Sequence, residues 1–537
     1  MKTNPTKLWI IMFALGWLFD FLFWKQAPGI NFAIFATACL TAAFYLLLSD
    51  GLRPNRNSLI LLPLFGFFAA VTLIRAESMT SFLAYTFTLL VMTVLAVSYL
   101  GGRWYHYTIV DYVGKFLQLF GSVLTRPIGF TNDIRKAQVE AGIQPAKRNI
   151  WPVVRGIVIA LPIIAIFASL LASADAIFGQ RLTEIIKWFN IDNLPELIFR
   201  LVYIVLIGYA LAGVVLHAAT ESKDEKISNE DRPFILPFLG YVESTIVLGS
   251  VVALFLIFVI IQFQYFFGGT SNIHIDGFTY AEYARRGFGE LVTVAFFALL
   301  MFLTFSAITK RDTETQRKIF SGLGVTLAAL LLVMLLSAYQ RLGLYEAAYG
   351  FSRLRTYTHI FLIWIGLLLV TTIALEILRK ERMFTFAMLI AALGFAMSLP
   401  ILNVDAFIVN QNIQRELHSQ KDPNLPQGGR VDLDAQYFLD LSDDAVPALV
   451  KAYRTSSLPA PVQEKVGAAL ACIQYKRGLD ERKLPWQSFQ LARFNADKTL
   501  ASIKKDLKGF VVNEKEFPNK VTTPSGEEFN CSSYYYD

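Results

Sequence analysis

The sequence predicts an all-α fold: a polytopic transmembrane helical bundle of about eleven spans, followed by a small helical domain on the extracytoplasmic side. Three observations predict it. Hydrophobic residues make up 55% of the 537 residues and charged residues only 17%, where soluble proteins carry about 25% charge, and a soluble fold has no interior large enough for that much apolar surface. Apolar runs of about 20 residues, enough to cross a hydrocarbon layer as helices, recur up to residue 402. Beyond it the composition changes, because residues 404–537 hold 17 Lys and Arg against 18 Asp and Glu. The excess positive charge behind the net +7 therefore lies in the membrane part. There it sets topology; no basic–aromatic stripe suits a nucleic-acid partner.

Taken in order, the spans are expected at 8–24, 30–48, 58–74, 81–100, 153–173, 198–217, 242–264, 288–309, 319–339, 359–378 and 383–402. The first is short and carries Asp20. No small-residue cleavage site separates it from the second, so no removable leader is expected. With the N-terminus in the cytoplasm, 21 Lys and Arg fall in cytoplasmic segments and nine in the opposite loops, the usual positive-inside bias. An odd number of spans then puts residues 404–537 outside the cytoplasm, as expected for a protein of a bacterial inner membrane.

Residues 105–124 place Ile109, Val113, Phe116, Leu117, Phe120 and Leu124 at helical spacing, but Asp111, Lys115 and Gln118 interrupt the apolar pattern. This reads as an amphipathic helix on the cytoplasmic surface. Reporter fusions after residue 316 should report the cytoplasm, and fusions after residue 420 the far side. A cytoplasmic signal after residue 420 would overturn the topology and make residues 105–124 a span.

Three domains follow: 1–150 with the first spans and the amphipathic helix, 151–403 as the core bundle, and 404–537 as the outer helical domain. In the last, helices are expected near 405–418, 433–440, 443–455 and 461–475, and a fifth over 485–507. Ser442 followed by Asp443 and Asp444 makes an N-cap with first-turn acids, and Pro461 suits a first helical turn. The stretch Lys421 to Gly429, with two prolines and two glycines, is a linker. The last 25 or so residues read as irregular with short strands. The three cysteines are Cys39, Cys472 and Cys531, with no CxxC. Cys472 lies in Ala468-Ala469-Leu470-Ala471, a stretch where cysteine packs as a small hydrophobe, so no bond to Cys531 is expected.

The middles of nearly all the expected spans lack charge, which weighs against an ion-coupled carrier. Polar residues collect at the outer ends. Tyr280–Glu290 stacks Glu282, Arg286 and Glu290 on one helical face. The loop from Tyr339 to Tyr357 holds Arg341, Arg353 and Arg355, with Arg341, Tyr345 and Tyr349 on one face. Arginine on the outer side opposes the positive-inside tendency and needs an acidic partner. Guanidinium forks suit phosphate or carboxylate. The candidate ligand-binding set is therefore Glu282, Arg285, Arg286, Glu290, Arg341, Tyr345, Tyr349, Arg353, Arg355 and Asp405. Against it stands a closed network in which the arginines pair with Glu282, Glu290, Glu346 and Asp405. At least one of Arg285, Arg341 and Arg353 is expected to face a cavity, and Glu282 to pair with Arg286. The histidines show no metal spacing. No metal, cofactor or catalytic residue is assigned.

Several blocks resemble a known family. They are Leu170 to Asp175, Tyr283 to Leu291, Arg341 to Gly350, Asn403 to Ile408, Leu433 to Leu449, and Trp486 to Arg493. Over roughly 150–500 the chain resembles bacterial polytopic membrane proteins filed as a domain of unknown function, number four-one-seven-three. The resemblance implies the architecture and supplies no activity. The family pattern has Asn-Pro-Asp where this chain has Asn403-Val404-Asp405, so Val404 departs from it.

The leading expectation is a non-enzymatic envelope module for binding, sensing or scaffolding, whose outer polar cluster holds an anionic or lipid head-group ligand. The alternatives are a membrane enzyme acting on a lipid-linked substrate, with Glu282, Glu290 or Asp405 as acid or base, and a transporter. Expected partners are membrane lipids and an envelope protein docking on residues 404–537.

Overall fold

Ten helices are long and apolar enough to cross a membrane among the described residues, and they coincide with ten of the eleven expected spans. The computed structural model describes residues 5–140, 194–224, 237–266, 288–421, 433–455, 458–479, 485–513 and 518–532, with short pieces of 160–181. The expected span 153–173 and the linker after Lys421 lie largely outside them. The spans are α1 (Pro5–Phe23), α2 (Ile30–Ser49), α3 (Arg56–Ile74) and α4 (Ser78–Ser98). After the amphipathic α5 (Ile109–Glu140) come α6 (Leu194–Thr220), α7 (Tyr241–Phe266), α8 (Phe288–Ile308), α9 (Glu314–Tyr349), α10 (Arg353–Ile377) and α11 (Phe384–Leu402).

Side chains such as Ile246 (62% exposed), Leu254 (61%) and Phe296 (60%) stand on the outside of these helices. In water such a surface is an aggregation hazard; against lipid it costs nothing. The chain is a multi-pass membrane protein.

Two compact units divide it. One comprises Met1–Gln26, Phe35–Arg53 and Phe116–Ser222. In it α1 packs along α6, and Asp20 is held by Arg200 through Nε at 2.8 Å and Nη2 at 2.5 Å. The other comprises Ala27–Ile34, Pro54–Lys115 and Lys223–Asp537. There α7 to α10 enclose Leu248, Phe320, Leu327, Leu331, Leu362 and Leu369.

α5 starts at Ile109 and runs to Glu140, longer than the sequence pattern suggested. Ile109, Val113, Leu117, Phe120, Leu124 and Ile128 stay exposed along one stripe, while Leu119, Ser122 and Phe130 are buried. Polar contacts fasten the other face. Gln118 donates to Glu221 at 2.9 Å and His217 meets Ser122 at 2.9 Å, while Lys115 reaches Asp224 at 3.2 Å. The amphipathic reading agrees with this arrangement.

After α11 the chain turns at Asn403, whose φ of 55° lies in the left-handed region that asparagine tolerates better than most residues. It re-enters a helix as α12 (Val404–Lys421). Two 3₁₀ turns, Gln436–Asp440 and Asp443–Ala445, lead to α13 (Val446–Tyr453), α14 (Ala460–Leu479) and α15 (Leu491–Ile503). Ser442 is the N-cap expected of it, its hydroxyl accepting from the Asp444 amide. The terminal segment forms a three-stranded antiparallel sheet, β1 (Val511–Asn513), β2 (Lys520–Thr522) and β3 (Glu528–Asn530). The domain core gathers Phe438, Leu449, Val466, Leu470, Ile503 and Val521.

One expectation is corrected here. Cys472 and Cys531 form a disulfide, with Cα atoms 5.4 Å apart across 59 residues. Cys472 does pack as a buried residue. But the small sheet lies on α14, and the Cys531 amide donates to the Asn519 carbonyl at 2.8 Å, which brings the second thiol within bonding range. Sequence spacing could not register that long-range approach.

Candidate functional site

The ends of α3, α4, α10 and α11 meet the C-terminal domain at one side of the larger unit, where Arg75, Glu77, Arg353, Asp405 and Asp444 gather. At the start of α4, Glu77 caps the helix, accepting from the amides of Met79 at 2.9 Å and Thr80 at 2.7 Å. Its Oε1 also accepts the Tyr357 hydroxyl at 2.5 Å. Burial works against the Glu77 charge, but the donors from Thr80, Tyr357 and Met79 outweigh it and hold the carboxyl below its usual range.

Arg353 opens α10. Its Nε and Nη2 grip Asp405 in a two-pronged pair at 2.7 and 2.5 Å, with Glu77 at 4.0 Å. Asp405 is fully buried and also accepts the Ser442 amide at 2.6 Å. The Tyr437 hydroxyl accepts the Arg353 amide at 2.8 Å.

The same logic repeats beside it. Arg75 donates to the Pro400 carbonyl at 2.7 Å and to Asp444 at 3.3 Å. Asp444 also accepts the amides of Ala76 at 2.7 Å and Glu77 at 3.1 Å. Burial nevertheless lifts the Asp444 carboxyl above the ordinary carboxylate range. Together these contacts latch the C-terminal domain to the ends of α3, α4, α10 and α11.

Next to this closed network lies an open cleft of about 440 Å³, lined among others by Tyr349, Ser352, Arg355, Arg415, Asp434 and Tyr437. Its wall depends on Gly350, which ends α9 with φ +80°. A Cβ there would come within 2.7 Å of the Asn412 side-chain oxygen. Asn412 in turn clamps the Phe351 backbone, accepting its amide at 2.6 Å and donating to its carbonyl at 2.9 Å.

Arg355 donates to the carbonyls of Gly350 and Tyr349 and lies 4.1 Å over the Tyr345 ring, which packs 5.1 Å from Tyr349. Arg415 enters from α12. Burial pushes its guanidinium below its ordinary value; nearby Glu416 and Asp434 oppose the shift and Arg355 adds to it. Two like charges thus share one cleft, with Asp434 and Asp440 also on its lining. Phosphate or carboxylate is the chemistry that two guanidinium groups recognise. Among the described residues no cluster of His, Cys, Asp and Glu has the makings of a metal site.

The sequence-derived candidates separate accordingly. Arg353 and Asp405 pair with each other, and Arg353 is not on the lining of this cleft. Arg341 is half-buried on α9 and does not line the cleft. Arg355 faces the cleft instead, with Tyr349 beside it and Tyr345 under its guanidinium. Glu346, expected as an arginine partner, meets His359 at 2.9 Å. Glu282, Arg285 and Arg286 lie outside the described residues, as does the side chain of Glu290, and with them the expected Glu282–Arg286 pair.

Sequence reasoning missed Arg415, Asn412, Tyr437, Glu77, Arg75 and Asp444 as site residues. The signal for Glu77 was an acid at the entry to a span, a helix-capping position. For Arg415 it was a cation on a helix that leaves the membrane. Neither signal says which other helix end each would meet.

The family model described as domain of unknown function (DUF4153) matches residues 62–452, more than half the chain. It carries the number 4153 in place of the four-one-seven-three read from the motifs. No curated protein and no solved structure matches.

Proposed function

For this chain, which belongs to the DUF4153 family, we propose a non-enzymatic binding module of the cell envelope. Its extracytoplasmic cleft holds an anionic ligand on Arg355 and Arg415. One observation carries the reading: two guanidinium groups line a cleft of about 440 Å³, a size suited to a small molecule or a lipid head group. The adjacent latch of Arg353, Asp405 and Glu77 keeps that cleft preformed.

Two further points support an outward orientation. The charge bias favours it, and a disulfide at Cys472–Cys531 suits an oxidising compartment. The enzymatic alternative asks for a carboxylate open to a substrate, whereas Asp405 is fully buried and held by Arg353 and the Ser442 amide. Transport asks for ionisable groups near mid-membrane. Among the described spans these groups sit toward the ends.

The test is binding to purified protein in nanodiscs. Inorganic phosphate and glycerol 3-phosphate serve as soluble probes, and discs with and without phosphatidylglycerol test the lipid source. Arg355→Gln and Arg415→Gln should each weaken binding about tenfold, or about 1.4 kcal/mol, from loss of a charge-assisted hydrogen bond. Absence of binding by every probe, or binding by both variants as tight as that of the parent, would overturn the proposal.

A further inference from the structure

The C-terminal domain carries a second feature, unrelated to the cleft. Its large apolar side chains are mostly inside, yet Trp486 is 55% exposed, Phe489 39%, Leu491 36% and Phe494 52%. Among the described residues from 433 onward, the exposed large hydrophobics are these four and Val511. Four of the five therefore fall within nine consecutive residues.

That segment is fastened to the end of a membrane span. The Phe489 carbonyl accepts the amide of Ile30 at 3.0 Å, the first residue of α2, whose amide has no partner within its own helix. The Ser488 hydroxyl donates to the Ala27 carbonyl at 2.9 Å. Gly29 lies so close that a Cβ would sit 2.8 Å from the Phe489 carbonyl oxygen, so the contact requires glycine. α15 also touches α3. A turn bonded to the first residue of a spanning helix lies at the level where hydrocarbon gives way to head groups. Tryptophan and phenylalanine exposed at that level match the chemistry of the interface, apolar on one side and wet on the other.

We propose that Trp486, Phe489, Leu491 and Phe494 form an interfacial anchor that enters the head-group region of the adjoining leaflet and holds the C-terminal domain against the bilayer. The partner is lipid, because the patch is bonded to the first residue of a spanning helix and so lies where hydrocarbon gives way to head groups.

The experiment places single cysteines at 486, 489 and 494 in a Cys39→Ala background, leaving the disulfide intact. Each is labelled with the environment-sensitive fluorophore NBD and reconstituted in phosphatidylcholine–phosphatidylglycerol nanodiscs containing spin-labelled lipid. Emission should be blue-shifted, and quenching should exceed that at the exposed control positions Lys451 and Lys508 by at least about twofold. Water-like emission with control-level quenching would overturn the proposal. So would blue-shifted emission without lipid quenching, which would assign the patch to a protein partner or a second copy. On the unsubstituted protein, a diazirine-bearing phospholipid should modify the peptide spanning 485–494 and leave the one around Lys508 unmodified. Absence of that adduct would overturn the proposal even if the cysteine variants fail to fold.

Discussion

Asp405→Ala destabilises the protein by about 3–5 kcal/mol, the cost of breaking an ion pair whose carboxylate is fully buried and leaving a half-buried guanidinium without its counter-charge. Asp405 has a side-chain exposure of 0% and Arg353 of 23%, and two of the three donors to Asp405 belong to Arg353. Without the carboxylate, Arg353 keeps only Glu77, at 4.0 Å, and the Ser442 amide loses its acceptor. Asp405→Asn keeps the shape and one acceptor oxygen, so it should cost less than the alanine change. The double variant Arg353→Met with Asp405→Leu removes both charges. It should recover much of the loss, because an apolar pair needs no desolvation. Unfolding in detergent, followed by tryptophan fluorescence, checks all three. An Asp405→Ala protein within about 0.5 kcal/mol of the parent, the scatter of ordinary surface changes, would show that the network does not hold the junction.

Removing the disulfide has the next largest expected effect. The Cys472→Ser/Cys531→Ser protein should lose about 2–4 kcal/mol of stability in the C-terminal domain, since the bond closes a loop spanning 59 residues of separation and limits the unfolded chain. Both half-cystines are buried, Cys472 at 0% and Cys531 at 3%, so the bond also fills core space between α14 and the sheet. Protein taken from its native membrane and denatured without reductant should resist alkylation at both positions, and accept it after reduction. Alkylation of both without reductant would show two thiols and remove the redox support for an extracytoplasmic domain.

The spans were legible because crossing a bilayer is a local demand. Any stretch of some 20 apolar residues meets it regardless of what packs beside it, and ten expected spans correspond to ten helices. The stripe from Ile109 to Leu124 was legible for the same reason, since one face of one helix is a periodic pattern. The cap at Ser442 needed only two neighbours in the chain.

What the amino-acid order determined by itself, then, is where the apolar helices lie along the chain, that they are long enough to cross a membrane, and that arginines at the ends of spans need partners. The tertiary structure decided who those partners are. Arg353 could have met any of several carboxylates, but the left-handed turn at Asn403 brings Asp405 to it from 52 residues away. Arg355, two residues on, lines the cleft together with Arg415. Cys531 reaches Cys472 because a three-stranded sheet happens to lie on α14. Each of these is a long-range approach whose energy depends on burial and on the full set of neighbours, quantities that no local pattern along the chain encodes.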